Sequence, residues 1–242
     1  MSVETGTDSD YGLLDTRYAI FFVPRPSSRL KHFADAWIGR NPDRDERVPQ
    51  PVVEGITPER LHEITAFPRH YGFHATLKAP FTPVSGLEAD ALVGDVEAFA
   101  AAHRPLRIRL KVDELADFLA LVPAMSVPEL DRLAADCVRE FDRYRAPLSR
   151  KDRERRDLSR LSETEREHLE RWGYPYVFDR FRFHMTLTGP LAEPERGKVK
   201  TILHAAMAAY LSEPVPIDQL VLFTQTHRVA PFRIVHRFPL GG

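Results

Sequence analysis

A motif that contains a histidine and a threonine occurs twice in the sequence. Residues 73–81 read Phe-His-Ala-Thr-Leu-Lys-Ala-Pro-Phe, and residues 183–191 read Phe-His-Met-Thr-Leu-Thr-Gly-Pro-Leu. Two copies this far apart do not have the short period of a solenoid, so they indicate two related halves of one protein. Each copy begins with the alternating apolar and polar residues that are typical of a β-strand.

Strand geometry predicts which side chains of each motif act together. Successive side chains of a strand point to opposite faces, so His74 and Thr76 share one face, and His184 and Thr186 share the equivalent face. The apolar residues between them then face the core. We expect the two strands to lie side by side, which would bring both imidazoles and both hydroxyls into one cleft.

This set of side chains suits the cleavage of a phosphodiester by general acid–base catalysis. A neutral imidazole accepts a proton from the attacking oxygen, and a protonated imidazole donates one to the leaving oxygen. The reference pKa of histidine, about 6.5, lets both forms exist near neutral pH. Threonine hydroxyls can donate hydrogen bonds to the non-bridging oxygens of the phosphate. The scheme requires no metal ion and no other cofactor.

Four further residues are candidates for contact with the substrate. The parity of the strands places Arg182 and Lys78 on the cleft face, and Tyr18 and Tyr71 could stack on a base. We also predict that the positive charge of Arg182 lowers the pKa of His184. In that case His184 is the general base, and the other histidine is the general acid.

The rest of the sequence supplies the elements that position the motifs. Helix patterns occur at 28–39, 57–66, 87–102, 127–144 and 195–211, and strand patterns at 17–23, 73–78, 106–112, 117–122, 178–187, 220–226 and 232–238. This order predicts an α+β protein with antiparallel or mixed sheets and with helices on their outer faces.

We expect a single bilobal domain over residues 1–242. Its approximate halves are 17–125 and 170–240, and each carries one motif. A helix and a charged insertion at 127–173 lie between them. The mixed charges of 145–173 are typical of a solvated insertion or helical hairpin. The alternative is a flap that brings arginines over an anionic substrate.

The composition excludes several classes of protein. With 34 basic and 35 acidic side chains in 242 residues, the net charge of -1 argues against long nucleic acid as a partner and fits a small phosphodiester substrate. One cysteine, Cys137, cannot form an intramolecular disulfide or a multi-cysteine metal site. Residues 1–10 are acidic and polar, and no apolar run approaches the roughly 20 residues that cross a bilayer. We therefore expect a cytoplasmic protein with no membrane partner; the oligomeric state stays open.

The sequence resembles the two-histidine (2H) phosphoesterase superfamily, whose signature is a pair of His-x-Thr/Ser motifs that each precede an apolar residue. Both copies here read His-x-Thr-Leu, and the longer strings at 71–81 and 172–190 are similar to a bacterial branch found among phosphonate-utilisation genes. The resemblance extends over about 17–238. It implies two related lobes of ferredoxin-like type around a central cleft that holds both histidines. It also implies metal-independent cleavage of 2′,3′-cyclic nucleotides or ribosyl cyclic phosphates, in phosphonate metabolism.

Two other functions stay open at this point. A metallohydrolase is disfavoured because the sequence contains no His-x-His, no His-Glu-x-x-His and no cluster of aspartates and histidines. A non-catalytic module could bind a nucleotide or RNA in the same cleft. Binding alone, however, does not require two histidines that are each matched with a threonine.

Overall fold

The described part of the chain covers residues 16–154 and 157–241 of a computed structural model. Its strands are β1 (Arg17–Phe22), β2 (Arg40–Asn41), β3 (Glu46–Arg47), β4 (Ala75–Phe81), β5 (Leu106–Ile108), β6 (Leu110–Leu115), β7 (Phe118–Pro123), β8 (Met185–Thr186), β9 (Val215–Ile217), β10 (Gln219–Gln225) and β11 (Arg233–Pro239). Its α-helices are α1 (Arg29–Ile38), α2 (Pro58–Ile64), α3 (Ala66–Tyr71), α4 (Ala89–Ala102), α5 (Pro128–Glu140), α6 (Arg150–Glu154), α7 (Glu163–Trp172) and α8 (Glu195–Leu211). Residues 1–10, which contributed to the cytoplasmic prediction, lie outside the described ranges.

Seven strands form one sheet in the order β11-β10-β1-β4-β8-β7-β6. Every neighbouring pair in it is antiparallel. The two motif strands, β4 and β8, are therefore neighbours near the middle of the sheet. The predicted α+β class and antiparallel pairing are confirmed. The two halves share this sheet instead of forming one sheet each.

Strand β8 is much shorter than the predicted strand at 178–187. The chain turns at Phe178, which has a φ of 53°, and forms a short 3₁₀ helix there. The Phe178 ring packs edge-on against Trp172 and His168, with ring centroids 5.1 and 5.7 Å away. Packing against α7 thus outweighs the strand propensity of this aromatic segment.

The main hydrophobic core lies between one face of the sheet and helices α1, α4, α5 and α8. Four apolar residues of the two motifs are buried in it, as the strand parity predicts: Phe73, Leu77, Phe183 and Leu187. A smaller cluster, which we call the cleft-face cluster, packs on the opposite face of β1 and β10. It consists of Ala19, Phe21, Val23, Val221, Phe223 and Phe232.

The described residues of the charged insertion form α6, a short 3₁₀ turn (Leu158–Arg160) and α7. A capping box begins α7, in which Ser162 accepts from the backbone of Glu165 and Glu165 accepts from the backbone of Ser162. Exposed ion pairs such as Arg153 with Glu170 cover its surface, which agrees with the prediction of a solvated insertion. None of the helices in the described ranges has the length and apolar character that crossing a membrane requires.

Candidate active site

The two motifs meet through the pairing of β4 with β8. Ala75 lies opposite Met185 in an antiparallel register. The same register places Thr186 across from His74 and His184 across from Thr76, because antiparallel partners advance in opposite directions. The predicted side-by-side placement is confirmed. The two histidines are diagonal neighbours, for which Cα separations of about 7–8 Å are usual.

Both imidazoles are oriented by the same local hydrogen bond. His74 Nδ1 lies 2.8 Å from the carbonyl oxygen of Gly72, and His184 Nδ1 lies 2.7 Å from that of Arg182. A carbonyl only accepts, so Nδ1 carries the proton in each ring and a neutral ring presents the lone pair of Nε2. Nε2 of His74 lies 3.4 Å from Oγ1 of Thr76, on the cleft side. Each motif therefore presents one Nε2 and one hydroxyl.

The surroundings of the two imidazoles differ. The His74 ring packs against Phe21 and Tyr71, whose ring centroids are 4.1 and 5.5 Å away. Burial, with a smaller contribution from the charge of His184, lowers the pKa of His74 to about 4. Burial also lowers the pKa of His184, whose neighbouring ring, Phe118, is 5.9 Å away. The more enclosed imidazole, His74, is thus the one better suited to act as a neutral base.

The predicted effect of Arg182 on His184 is wrong. The side chain of Arg182 is exposed, and the contact it makes with His184 is through its main-chain carbonyl. That hydrogen bond raises the pKa of His184, whereas burial lowers it. Enclosure by aromatic rings, and not the charge of Arg182, is the main difference between the two histidines.

A cavity of about 530 Å³ opens beside the motifs. Thr76, Thr186 and His184 line it; His74 does not, because its ring packs against the aromatic residues next to the cavity. Most of the remaining wall is aromatic or apolar, and its aromatic members are Phe67, Phe118, Tyr174, Tyr176, Phe178 and Phe181. Its charged members are Glu165, Asp179, Arg180 and Arg182. The size and composition are those of a site for a small organic molecule.

Lys78 does not lie in the cleft, so the parity prediction fails for it. Its side chain is 3% exposed, and Nζ lies 3.1 Å from Asp142 Oδ1 and 3.0 Å from the carbonyl oxygen of Val138. The pairing of β1 with β4 explains this, because Phe21 pairs with Thr76 but Ile20 pairs with Lys78. The extra residue in β4 is a bulge, which breaks the alternation of side chains. Ala79 lines the cavity instead.

The remaining candidates divide between the cleft and the core. Tyr18 is partly buried against the main core, with its ring 6.4 Å from that of Phe81, and it does not line the cavity. Tyr71 stacks on His74, so it adjoins the site. Arg182 lines the cavity, as the parity predicted.

The sequence patterns did not identify the residues that build the walls of the site. Phe21 belongs to a strand with no visible chemistry, and only the alternation in β1 could have placed it on the cleft face. Glu165 lies in the charged insertion, and the aromatic segment at 174–182 follows it. The insertion thus contributes one end of the cavity wall, while two of its arginines, Arg150 and Arg153, pair with acids at the surface.

No metal-binding constellation is found within residues 16–154 and 157–241, where no three His, Cys, Asp or Glu side chains come together. The cysteine, Cys137, is buried in α5, and burial raises the pKa of its thiol well above the ordinary range.

Three solved structures are similar to this chain at low sequence identity. One described as "Crystal structure of phosphoesterase" is 12% identical with a TM-score of 0.47, covering 94% of this chain and 99% of that chain. The E. coli LigT structure with NADP+ is 11% identical with a TM-score of 0.42, over 94% and 99%. The E. coli LigT structure with 3'-AMP is 12% identical with a TM-score of 0.43, over 93% and 98%. All three TM-scores are below 0.5.

Two curated proteins are similar in sequence, and both are named ribose 1,5-bisphosphate phosphokinase PhnN. The protein of Janthinobacterium sp. (strain Marseille) is 38% identical over 232 residues, which are 94% of this chain and 51% of that protein. The protein of Laribacter hongkongensis (strain HLHK9) is 31% identical over 220 residues, 90% of this chain and 50% of that protein. The chain thus spans about half the length of these relatives. A protein family described as "Protein of unknown function (DUF1045)" matches residues 76–233, from the first motif to the start of β11, and the chain belongs to this family.

Proposed function

We propose that the protein is a metal-independent phosphoesterase that cleaves a small cyclic phosphodiester, with His74 as general base and His184 as general acid. The observation that supports this most directly is the antiparallel pairing of β4 with β8, which brings the two His-x-Thr motifs side by side on one face of the sheet. The orientation of both imidazoles by main-chain carbonyls supports it further. General acid–base catalysis of an in-line displacement at phosphorus requires one group within hydrogen-bond reach of the attacking oxygen and another within reach of the leaving oxygen.

The proposed reaction needs only water and the four motif side chains. Nε2 of His74 takes a proton from water while the water oxygen forms a bond to phosphorus. The bond from phosphorus to one ring oxygen breaks, and Nε2–H of His184 donates its proton to that oxygen. The product is a phosphomonoester with a free hydroxyl, and solvent restores the two protonation states. Thr76 and Thr186 donate hydrogen bonds to the non-bridging oxygens, which carry the negative charge in the transition state.

Two classes of substrate fit this proposal. The aromatic wall of the cavity favours a nucleoside 2′,3′-cyclic phosphate, because a base can stack on such rings. The name of the curated relatives refers to a ribose bisphosphate, which favours a ribosyl cyclic phosphate and a role in phosphonate metabolism. Both are cyclic esters that two histidines can open without a metal ion.

A screen of both classes tests the proposed function. The purified chain is incubated with nucleoside 2′,3′-cyclic phosphates and with ribose cyclic phosphates, and phosphorus NMR identifies the ester bond that breaks. We expect turnover of at least one class and no loss of activity after exhaustive chelation. Activity that disappears with chelator and returns with added metal would favour a metallohydrolase. Tight binding of nucleoside phosphates without any turnover would favour the non-catalytic module.

The two threonines provide a smaller, separate prediction. A hydrogen bond to a charged group contributes about 1.5–3 kcal/mol, so we expect Thr76→Val and Thr186→Val each to lower kcat/KM by about 10- to 100-fold. The matched control is Thr201→Val, since Thr201 is exposed on α8 and its hydroxyl bonds within that helix. Steady-state kinetics on the best substrate of the screen measures all three variants. Kinetics of Thr76→Val and Thr186→Val equal to those of the control would exclude phosphate contact by these hydroxyls.

A further inference from the structure

A column of stacked rings holds His74 from one side. The imidazole stacks on Tyr71, with centroids 5.5 Å apart and ring planes inclined by 30°. Tyr71 in turn stacks on Phe232 at 4.9 Å and 14°. Phe21 closes the other side of the imidazole at 4.1 Å. Phe21 and Phe232 are fully buried members of the cleft-face cluster.

The column depends on two segments that are distant in sequence. Tyr71 is the last residue of α3, and Phe232 immediately precedes β11. A backbone hydrogen bond joins them, in which Phe232 N donates to the carbonyl of His70 at 3.0 Å. This bond satisfies only one pair of backbone groups. The other carbonyls at the end of α3 and at Phe232 need further donors.

Arg40 supplies these donors. It is 5% exposed, and its Nη1 donates to the carbonyls of Arg69 at 3.3 Å and His70 at 3.1 Å. Its Nη2 donates to the carbonyl of Phe232 and to Asp45 Oδ1. One guanidinium thus binds the C-terminal end of α3 and the carbonyl of Phe232 together, and its positive charge suits a helix C-terminus.

Only an arginine can make this set of contacts. The guanidinium holds its donors in a planar fork, whereas the ammonium of lysine is a single point with three rotatable donors. Asp45, its carboxylate partner, is itself held with a positive φ of 53°, which fixes the carboxylate against the fork. A buried charge and a turn with positive φ thus support the two segments that carry Tyr71 and Phe232, and neither Arg40 nor Asp45 lines the cavity.

No equivalent support is found around His184 within the described ranges. The ring recorded beside it is Phe118, at 5.9 Å, on the hairpin of β6 and β7. The titratable and charged groups around the His74 column are Tyr71 and His70 on α3, Arg17 above the Phe232 ring, Arg40 with its partner Asp45, and His184, which immediately precedes β8. Of these groups, His184 acts on His74 by its charge.

We propose that Arg40 is a positioning residue for His74: by binding the end of α3 and Phe232 together, it keeps the Tyr71–Phe232 stack closed on the imidazole, which holds that ring oriented and uncharged. The proposal rests on the proposed function only for its effect on catalysis. The packing of the stack on the imidazole is a property of the folded chain without substrate. This support for one imidazole gives the two histidines of the duplicated motif different roles.

The test is an NMR titration of both imidazoles in the full chain, in Arg40→Lys and in Tyr71→Leu. Opening the stack admits water to His74, so we expect its pKa to rise by at least about one unit, a tenfold change in proton affinity. The pKa of His184 is expected to stay at its wild-type value. The acidic limb of the profile, where kcat/KM rises with pH, should shift to higher pH by the same amount.

Two comparisons make the result specific. Arg47 pairs with Arg40 across the β2–β3 hairpin and is exposed, so Arg47→Lys is the matched control and should leave both titrations unchanged. Tyr71→Phe keeps the ring and should restore the wild-type pKa of His74. If Arg40→Lys and Tyr71→Leu fold and His74 titrates as in the wild type, the proposal is wrong, whether or not the chain cleaves a phosphodiester. If the titration shifts and no substrate is turned over, the positioning role stands and the proposed function fails.

Discussion

Replacing either His74 or His184 with alanine is expected to lower kcat/KM at least a hundredfold. A general acid or base contributes about 10²–10⁴ to the rate, which corresponds to roughly 3–5 kcal/mol of activation free energy. In the proposed mechanism the two imidazoles transfer protons in the same displacement at phosphorus, so their effects should not add. We expect the double variant to be little worse than the poorer single variant.

These losses must be separated from loss of the fold. Both histidines are partly buried, and each imidazole donates to a main-chain carbonyl two residues before it, at Gly72 or Arg182. Circular dichroism and thermal unfolding should therefore be close to wild type. His204 is exposed on α8, and His204→Ala is the control for removal of an imidazole from the surface. Wild-type turnover in a folded His74→Ala or His184→Ala variant would remove that residue from the mechanism.

The second large effect is expected for Gly72→Ala, which acts on the backbone beneath His74. Gly72 has a φ of 80° and a ψ of 175°, a region that is essentially restricted to glycine. A Cβ added there would lie 2.7 Å from Pro42 Cγ. The backbone strain costs about 1–3 kcal/mol and the steric clash about as much again, so we expect a loss of roughly 2–5 kcal/mol in the free energy of unfolding.

The activity of Gly72→Ala should fall as well, because the carbonyl of Gly72 orients the imidazole of His74. We expect a decrease in kcat/KM of at least about tenfold at temperatures where the variant is folded. Gly86 provides the matched control, since it also has a positive φ, 77°, but has no atom within 4 Å of an added Cβ. Gly86→Ala should lose some stability from strain and no activity. Urea unfolding and kinetics of Gly72→Ala that match those of Gly86→Ala would contradict this account of the backbone.

Short-range patterns in the sequence predicted the centre of the site. The repeat identified the two strands, and a period of two placed Thr76 beside His74 and Thr186 beside His184. Those inferences hold because alternation is a local property of an extended chain. They fail at Lys78, where a bulge inserts one residue into β4 and turns the lysine toward Asp142.

The surroundings of the histidines could not be predicted in the same way. Phe21, Tyr71 and Phe232 enclose His74 only because β1, α3 and the start of β11 come together in three dimensions. The sequence shows that Arg182 lies two residues before His184. It does not show which aromatic rings surround His74. The sequence therefore favoured His184 as the general base, whereas the surroundings of the two imidazoles favour His74.

The pH dependence of kcat/KM in the wild type and in the two alanine variants tests the central claim most directly. His74 must be neutral to accept a proton, so kcat/KM should rise as the pH increases through the pKa of His74, about 4 in the free protein. His184 must be protonated to donate, so kcat/KM should fall as the pH passes the pKa of His184, which burial holds below its ordinary 6.5. We predict a bell-shaped profile with an acidic optimum, in which His74→Ala removes the rise and His184→Ala removes the fall. Profiles that keep both limbs in both variants would contradict a reaction carried by these two imidazoles.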